Sequence, residues 1–436
     1  MANDTMAKLV SLCKRRGFIF QSSEIYGGLA SCWDYGPLGV ELKNNISHEW
    51  WTEMTRRHSN IAGIDASILM RPEVWQASGH VDGFVDPLVD CKKCRSRFRA
   101  DQLPADNDGT CPSCGGELTE PRNFNLMFKT HMGPLEDTAN QVYIRPETAQ
   151  GIYVNYLNVQ SSARLQVPFG IAQIGKAFRN EIKPGNFIFR TCEFEQMEMQ
   201  YFVKPGTDTE EMESWKNERL EYYKRLGIKP ENLRLHQHGP GELAHYAKDA
   251  WDVEYQFPFG WNEIEGIHNR TDFDLRRHAE HSGKKMDYID SGRGERYLPY
   301  IIETSSGLNR TLLTFLCDAY QEDVVEDEER IVLRFHPRLA PIKAAVLPLM
   351  KKDGIGEMAE QLHRELSGNW NVFFDQSGAI GRRYRRMDEV GTPWCITVDY
   401  DSKEDHCATV RHRDSLQQER IPMANLKAWL AGQLAQ

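Results

Sequence analysis

The alternation of hydrophobic and polar residues changes its character near residue 330. Before it, β-rich stretches are mixed with helical patterns such as Glu210 to Leu226. After it, apolar strand candidates such as Ala344 to Leu349 alternate with helical patterns such as Gly356 to Leu366. We therefore predict an α+β domain on a mainly antiparallel sheet over residues 1–330, followed by a compact α/β domain over residues 331–436.

The stretch from Phe178 to Phe202 combines a strand pattern with many charges. Apolar residues such as Phe187 and Phe194 suit two strands, and the turn cluster from Lys183 to Asn186 would join them as a β-hairpin. Unpaired charge is expensive to bury, so these charges require ligands or partners. We predict that the hairpin is the floor of a site for phosphates and an amine. The charged residues are Arg179, Glu181, Arg190, Glu193, Glu195 and Glu198.

Length and composition indicate an ordinary soluble protein. The 436 residues suffice for two or three domains, and 40% of them are hydrophobic. The chain has no run of 18 or more apolar residues, so no membrane span is predicted. The first residues do not resemble a secretory signal. The ten cysteines fit a reducing compartment, so we expect a cytoplasmic location. The net charge of −10 argues against generic nucleic-acid binding by a wholly basic surface.

Four cysteines form the clearest spacing motif in the chain. Cys91 and Cys94 form one CxxC pair, and Cys111 and Cys114 form another after sixteen residues. Two such pairs can place four thiolates tetrahedrally around one Zn²⁺. Because four cysteine ligands leave no open position, the zinc is expected to be structural. We predict a zinc-ribbon insertion from about residue 86 to residue 122.

Three further stretches place charge inside an apolar context. They run from Arg145 to Gly151, from Gly260 to Thr271 and from Ile301 to Arg310. Each has an ordinary structural explanation by itself, such as a capped helix start or a turn from a strand into a helix. None of them alone would identify a function.

Together, these stretches resemble the motifs of the class II aminoacyl-tRNA synthetases. FRNE, which begins at Phe178, and the later Arg190 to Phe194 resemble motif 2, while SSGLNR, which ends at Arg310, resembles motif 3. Trp33 to Trp51 resembles the dimer-forming motif 1. More narrowly, the chain is similar to the homodimeric glycyl-tRNA synthetases in the segments IYGGLASCWDYGPLGVELKNN, ASGHVDGFVDP, RPETAQGIYVN, FRTCEFEQMEMQYF and GIHNRTDFDL.

This resemblance covers nearly the whole chain and implies a ligase. Such an enzyme activates glycine with ATP to glycyl-adenylate and pyrophosphate, then transfers glycine to the 3′-terminal adenosine of tRNA(Gly). It implies a class II catalytic domain, a C-terminal α/β anticodon-binding domain, a homodimer, Mg²⁺ beside ATP and no membrane partner. The attacking carboxylate is already anionic, so positioning and charge stabilisation carry the rate without a general base.

The resemblance also implies roles in ATP binding. The catalytic Arg179 would hold the α-phosphate, the catalytic Arg310 would grip the outer phosphates with Arg190, and Glu181 would bind the adenine amino group. Phe194 would stack on adenine. Mg²⁺ is expected beside the phosphates, near the carboxylates of Glu263 and Glu303. The complete ATP set is Arg179, Asn180, Glu181, Phe189, Arg190, Thr191, Glu193, Phe194, Glu263, Ile264, Gly307, Leu308, Asn309 and Arg310.

For glycine, the resemblance implies that Glu147, Glu198 and Glu303 surround the ammonium group. Arg270 would face the carboxylate, and such crowding would exclude alanine sterically. The complete glycine set is Arg99, Glu147, Phe194, Glu195, Gln196, Met197, Glu198, Arg270, Glu303, Ser305 and Gly307. The alternatives are that Glu147 and Glu198 are merely partnered ions, that the chain is an inactive nucleic-acid-binding relative, or that it activates another small amino acid.

Two residues depart from the pattern of this family. Asn309 stands where an acidic residue commonly precedes the motif 3 arginine, and we expect it to alter the orientation of Arg310. Cys192 stands where arginine is frequent, which is expected to weaken a contact to tRNA or ATP. The basic run Gly378 to Pro393 resembles the anticodon-binding domain that the glycyl, histidyl, prolyl and threonyl enzymes share. There, basic residues would bind phosphates and Tyr384 would stack on unpaired bases.

Overall fold

A computed structural model describes residues 2–104, 107–136, 140–182, 185–239, 241–244, 246–290, 292–325 and 327–435. Within these residues the α-helices are α1 (Ala2–Arg16), α2 (Pro37–Arg56), α3 (Pro72–Ala77), α4 (His80–Gly83), α5 (Ala149–Val154), α6 (Tyr156–Ala163), α7 (Asp208–Arg225), α8 (Phe273–Ser282), α9 (Leu308–Ala319), α10 (Ile355–Ser367), α11 (Ile380–Val390), α12 (Ser402–Asp405) and α13 (Leu426–Leu434). None of them is long and apolar enough to cross a lipid bilayer.

The strands are distributed over both halves of the chain. They are β1 (Ile19–Gln21), β2 (Trp33–Tyr35), β3 (Ile61–Gly63), β4 (Leu69–Met70), β5 (Val85–Asp90), β6 (Arg97–Arg99), β7 (Arg122–Asn125), β8 (Lys129–His131), β9 (Gln141–Ile144), β10 (Phe169–Phe178), β11 (Glu193–Val203), β12 (Leu233–Gln237), β13 (Asp249–Phe257), β14 (Gly260–Thr271), β15 (Tyr288–Asp290), β16 (Glu295–Tyr297), β17 (Tyr300–Gly307), β18 (Tyr320–Val325), β19 (Glu328–Leu333), β20 (Ala344–Pro348), β21 (Val372–Phe374), β22 (Trp394–Val398), β23 (Cys407–His412) and β24 (Gln418–Pro422).

A seven-stranded sheet organises the larger half of the molecule. Its order is β12-β13-β14-β17-β11-β10-β3, and only the short β3 runs parallel to its neighbour. One face packs on the main hydrophobic core together with α2, α7 and α9, and Met197, Met199 and Ile302 point into that core. Successive strand residues point to opposite faces, so Glu198 and Glu303 lie on the other face. The α+β fold on a mainly antiparallel sheet is confirmed.

The predicted hairpin exists as the antiparallel pair of β10 and β11, in which Gln173 lies opposite Glu198. The connection is longer than expected, since residues 187–189 form a 3₁₀ turn and the second strand begins only at Glu193. Asn186 and Phe187 both have positive φ angles, which end the extended pattern. The strand assignment at Phe187 was therefore wrong. Of the predicted turn cluster, residues 183 and 184 lie outside the described residues.

A buried ion pair joins helix α7 to the sheet. Arg219 and Glu265 are both fully buried, with Arg219 Nε 2.7 Å from Glu265 Oε1, and the Tyr223 hydroxyl donates to the same carboxylate at 2.9 Å. Because a buried charge without its partner costs several kcal/mol, this pair ties the helix to one register on the sheet.

The C-terminal half forms a separate five-stranded sheet of order β21-β20-β22-β23-β24. The first three strands are parallel and the last two antiparallel, as in an α/β domain with an antiparallel edge. Its own core includes residues of α10 and α13. Between the two halves, β18 and β19 form a hairpin, and residue 330 lies inside β19. The side chain of Arg330 is buried and paired with Asp323 and Asp388.

Candidate functional site

One cavity opens on the face of the large sheet opposite the main core. Strands β11, β14 and β17 supply its floor, and residues from the loop before α5 and from the start of α9 complete its wall. The predicted residues that line it are Glu147, Arg179, Glu181, Phe189, Arg190, Thr191, Phe194, Gln196, Glu198, Glu263, Arg270, Glu303, Ser305, Gly307, Asn309 and Arg310. Residues separated by more than 160 positions in the chain are thus brought to one place.

Four predicted residues on or near the central strands do not line this cavity. Either the strand alternation turns their side chains away from it, or they pair with other residues or lie buried. Met197 points from β11 into the main core, and Glu195 pairs with Lys43 at 2.6 Å. Glu193 pairs with Lys176 on β10. Leu308 is fully buried at the start of α9.

Three further predicted residues also lie outside the cavity lining. Ile264 is buried in the main core, while the backbone N–H of Asn180 donates to Leu126 O at 2.8 Å. Arg99 lies on β6 of the insertion, where it pairs with Asp86 at 3.0 Å and with Asp101 at 2.7 Å. Arg99 therefore has two acidic partners of its own.

The cavity contains three residues that the predicted sets lacked, Tyr246, Gly266 and His268. Gly266 and His268 lie opposite Ser305 and Glu303 of β17, so the strand pairing puts them on the cavity side, and the register shift at Arg270 prevents a simple count of two from finding them in the sequence. Tyr246 lies in a loop, and its ring centre is 3.8 Å from the guanidinium carbon of Arg270. No pattern in the sequence signals that contact.

A β-bulge explains why Glu263 joins the cavity. The pairing of β13 with β14 shifts between Val253 and Glu254, so that Glu265 lies opposite Val253 and Glu263 lies opposite Glu254. The extra residue is Ile264. A bulge of one residue reverses the alternation, which turns Glu263 toward the side occupied by Gly266 while Glu265 stays in the core.

The inner end of the cavity, defined by Glu147, Glu198 and Glu303, is a cluster of carboxylates, of which Glu198 and Glu303 are buried and Glu147 is partly buried. Glu198 accepts hydrogen bonds from the Thr148 hydroxyl and, at 2.8 Å, from Gln200 Nε2. Both donors are neutral. Glu198 is only 2% exposed, so it is a nearly dry acidic group.

The other two carboxylates of the inner end have charged or titratable partners. Glu303 lies 3.1 Å from Arg270 Nη1 and 2.7 Å from His268 Nδ1. Glu147 lies 3.2 Å from His80 Nε2 and accepts from Gln150 Nε2 at 3.0 Å. Glu147 therefore has a partner, as the alternative of merely partnered ions requires, whereas the donors to Glu198 are neutral, and both residues line the cavity.

These partners divide the inner end electrostatically. Burial, together with the charges of Glu303 and Glu147, raises the pKa of Glu198 well above its usual range. Burial also acts to raise the pKa of Glu303, but Arg270 and His268 outweigh it and hold the pKa well below its usual range. For Glu147, burial acts to raise the pKa, but His80 and Arg270 outweigh it and lower the pKa to about 2. Glu147 and Glu303 are thus held in the ionised form, whereas Glu198 retains a proton more readily than an ordinary glutamate.

The outer end of the cavity, defined by Arg179, Arg190 and Arg310, is cationic and more open. The guanidinium carbon of Arg179 lies 5.4 Å from the ring centre of Phe194 and 5.2 Å from that of Phe84, and its Nε donates to Pro146 O. Stacked guanidinium groups keep in-plane N–H donors for oxyanions. Arg179 is consequently held in place while its remaining donors stay available.

Arg310 is oriented in a similar way. Its guanidinium carbon lies 4.3 Å from the ring centre of Phe189, and its Nη1 lies 3.1 Å from Glu263 Oε2. Arg190 Nε lies 3.7 Å from Glu181 Oε2. The side chains of Arg190 and Glu263 are 39% and 46% exposed, so solvent screens both pairs and a polyanion can compete for the arginines.

The two departures from the family pattern have structural explanations. Asn309 Oδ1 accepts the backbone N–H of Glu195 at 3.1 Å, a contact that an aspartate oxygen could also make. The backbone of Cys192 is fixed on both sides, since its N–H donates to Ser31 O and its carbonyl accepts from Arg179 N, each at 2.9 Å. Nothing in the structure assigns a binding role to the thiol.

The four cysteines of the CxxC pairs converge from two connections of the chain, Cys91 and Cys94 from the one between β5 and β6, and Cys111 and Cys114 from the one between β6 and β7. Their sulfur atoms all lie within 4.8 Å of one another, and the pairs Cys91–Cys114 and Cys94–Cys111 are 3.6 and 3.7 Å apart. The backbone N–H groups of Lys93 and Cys94 both approach Cys91 Sγ at 3.4 Å. Four sulfur ligands at these separations fit a tetrahedral Zn²⁺ site.

Several residues of the basic run on α11 are bound by the protein itself, while Arg382 is exposed. Arg383 is buried and donates to the carbonyls of Pro348 and Asp375. The Tyr384 hydroxyl bonds to Thr397 Oγ1 at 2.6 Å, and burial raises the pKa of this phenol. Arg386 pairs with the carboxylate of Asp375. A ring held in this way is poorly placed to stack on an unpaired base.

Comparisons with known proteins find matches over most of the chain. The family described as "tRNA synthetase class II core domain (G, H, P, S and T)" matches residues 128–318, and the family described as "Anticodon binding domain" matches residues 343–433. A Glycine--tRNA ligase of Treponema denticola is 64% identical over 430 residues, which cover 97% of this chain and 95% of the relative. Those of Treponema pallidum and Borreliella burgdorferi, both 56% identical, cover 98% of this chain and 98% and 96% of their own lengths.

Proposed function

The chain belongs to the glycine–tRNA ligases of the class II aminoacyl-tRNA synthetases, and we propose that its cavity holds glycine at the inner end and ATP at the outer end. The reaction is activation of glycine to glycyl-adenylate with release of pyrophosphate, followed by transfer of glycine to the 3′-terminal adenosine of tRNA(Gly). The observation that carries the assignment of the two ends is the meeting of buried carboxylates and stacked arginines in one cavity.

At the inner end, the ammonium group of glycine binds Glu147, Glu198 and Glu303. An ammonium ion has three N–H donors, and three carboxylates around it would satisfy all of them. Its binding also offsets the cost of keeping like charges close together in a buried place. Arg270, which already pairs with Glu303 and Asp274, offers its remaining donors to the glycine carboxylate. Ser305, Gln196 and Gly307 complete the lining.

At the outer end, Arg179 binds the α-phosphate, and Arg190 and Arg310 bind the outer phosphates. Phe194 stacks on adenine, and Glu181 accepts from its amino group. The α-phosphorus thus lies where the attacking carboxylate of glycine meets it, and Arg179 stabilises the negative charge that develops on the phosphoryl oxygens.

Mg²⁺ fits this end of the cavity, because hard cations prefer carboxylate and phosphate oxygens. Glu263 is the carboxylate suited to hold the ion, since its side chain is partly exposed and its described ion-pair partner is the phosphate-binding Arg310. Glu303 is less suited, because it is only 4% exposed and belongs to the inner end, where it pairs with Arg270 and His268. The ion, when bound, neutralises phosphate charge.

We assign the catalytic domain to residues 1–330 and the anticodon-binding domain to residues 331–436, with the zinc ribbon inserted at about residues 86–122. Zn²⁺ bound by Cys91, Cys94, Cys111 and Cys114 is structural. Metal analysis of the purified protein should find one zinc per chain, and Cys94→Ser should lower both the zinc content and the thermal stability. A chain that folds with no zinc would contradict this assignment.

We propose a homodimer formed through the region of β1, β2 and α2. The side chains of Ile25 and Tyr26 are 89% and 87% exposed and that of Leu29 is 56% exposed, although all three are large and apolar. A second copy of the chain would cover them. Sedimentation should find a dimer, and Tyr26→Glu should shift it toward the monomer. We also propose a cytoplasmic location, which the ten free cysteines support.

Glycine-dependent exchange of labelled pyrophosphate into ATP tests the function. We expect exchange with glycine and far less with alanine or serine. No exchange would favour an inactive nucleic-acid-binding relative. Faster exchange with alanine or serine would favour a ligase for another small amino acid.

A further inference from the structure

A buried glutamine connects two of the carboxylates at the inner end. Gln200 is fully buried on β11, two residues beyond Glu198 and on the same face of the sheet. Its Nε2 donates to Glu198 Oε1 at 2.8 Å and to Glu303 Oε2 at 2.7 Å. One amide nitrogen carries two hydrogens, so a single side chain provides one hydrogen bond to each carboxylate.

The orientation of this amide is fixed from behind. The Tyr153 hydroxyl donates to Gln200 Oε1 at 2.8 Å, and Tyr153 is itself fully buried on α5. If the amide were flipped, its carbonyl oxygen would face two carboxylates and its NH₂ group would face the hydroxyl. Tyr153 therefore favours the orientation in which both hydrogens point toward the carboxylates.

Glu198 and Glu303 also act on one another directly, since the charge of Glu303 contributes to the raised pKa of Glu198, and the two hydrogen bonds of the amide offset part of this repulsion. Two acidic groups in a dry place avoid this repulsion by separating or by taking up a proton, and either change would spoil a site for an ammonium ion. We propose that Gln200 is a positioning residue for glycine, holding the carboxylates of Glu198 and Glu303 side by side as acceptors for one ammonium group. This inference rests on the proposed function.

Several charged and titratable groups surround Glu198. The Thr148 hydroxyl is its other donor, and Gln173 lies opposite it on β10. The charged and titratable groups that face this part of the cavity from the packed elements are His80, Arg145, Glu147, Tyr153, His268, Arg270, Asp274 and Glu303.

The principal test compares Gln200→Met with the unaltered protein in pyrophosphate exchange. Methionine keeps the approximate volume and removes both hydrogen bonds. We expect the KM for glycine to rise by roughly 10- to 100-fold, as for loss of hydrogen bonds to charged groups, while the KM for ATP changes by less than about 3-fold. The pH below which glycine binding weakens should also move upward, since loss of the donors favours the protonated form of Glu198.

Tyr153→Phe provides a second test that keeps the fold, because it removes a single hydroxyl. It should raise the KM for glycine by roughly 3- to 10-fold in the same direction, and it should add little to Gln200→Met in the double variant. Thr304→Val is the matched control. Thr304 is buried next to Glu303, but its hydroxyl has no partner among the described residues, so both KM values should stay within about 2-fold.

The outcomes separate this inference from the proposed function. If the unaltered protein shows no glycine-dependent exchange, the proposed function fails. If it exchanges normally and Gln200→Met leaves the KM for glycine unchanged, or raises both KM values equally, the positioning role is wrong. Should Gln200→Met fail to fold, an unchanged KM for glycine in Tyr153→Phe would overturn the proposal in the same way.

Discussion

The two ends of the cavity solve the problem of binding a charged ligand in different ways. At the inner end the carboxylates are buried and already hydrogen-bonded to protein, as the 2% exposure of Glu198 and the 4% exposure of Glu303 show. At the outer end the arginines are partly exposed, and two of them stack on the rings of Phe189 and Phe194. One end is largely buried, and the other is more open to solvent.

This difference follows from the ligands. Glycine has no side chain, so selectivity depends on a fixed space and on the placement of charges around its two ends, which buried partners provide. ATP carries several phosphate oxygens, which arginine side chains can bind in several arrangements. We expect inner-end variants to change glycine use selectively, and outer-end variants to change the use of ATP and the rate.

The largest effect is expected from Arg179→Ala. Arg179 would stabilise charge that develops at the α-phosphorus, so its loss should lower the rate of pyrophosphate exchange by roughly 10²- to 10³-fold. The KM for glycine should change by less than about 3-fold. Arg179→Lys keeps the charge without the planar fork, and an intermediate loss would support bidentate phosphate binding. A large rise in the KM for glycine would contradict the division into two ends.

The next largest effect is expected from Glu147→Gln. The substitution keeps the shape and removes the charge opposite the ammonium group, so the KM for glycine should rise by roughly 10- to 100-fold while the KM for ATP stays within about 3-fold. Equal changes in both constants would contradict the ammonium role. The matched control is Glu193→Gln, because Glu193 pairs with Lys176 outside the cavity and should show little effect.

The pH dependence of the KM for glycine tests the same end without a substitution. The pKa of Glu198 is raised well above its usual range by burial and by the charges of Glu303 and Glu147. Glu198 is therefore protonated below that raised pKa and loses its attraction for the ammonium group. We expect the KM for glycine to fall as the pH rises through this pKa, with little change in the KM for ATP. A flat profile would show that Glu198 does not bind the ammonium group.

The smallest effect is expected from Asn309→Asp. Either side chain can accept the N–H of Glu195, so the position of Arg310 should be kept and both KM values should change by less than about 3-fold. Asn309→Leu cannot accept this hydrogen bond and should raise the KM for ATP more. If Asn309→Asp instead improves ATP binding strongly, then Asn309 does alter the orientation of Arg310, as expected from the sequence.

Charge inside an apolar pattern was a good guide in the catalytic half and a poor one on α11. Glu198 was singled out because a buried carboxylate on a strand needs a partner, and Glu303 was added through the resemblance to the family. The same argument does not separate Glu263 from Glu265, since only the bulge at Ile264 sends one to the cavity and the other to Arg219. On α11, Arg383 and Tyr384 are bound by the protein itself, which a linear pattern does not reveal.

The sequence by itself determined the class of fold, the cysteine set and most of the charged residues of the cavity, because these depend on periodicity, spacing and motifs that are local in the chain. Tertiary structure decided which of those residues meet. Met197 and Ile264 turn into the core, and Arg99 finds acidic partners of its own. Gln200 donates to Glu303, 103 positions further along the chain, and so joins it to Glu198. Such contacts depend on strand register and on distant neighbours, and no local pattern encodes them.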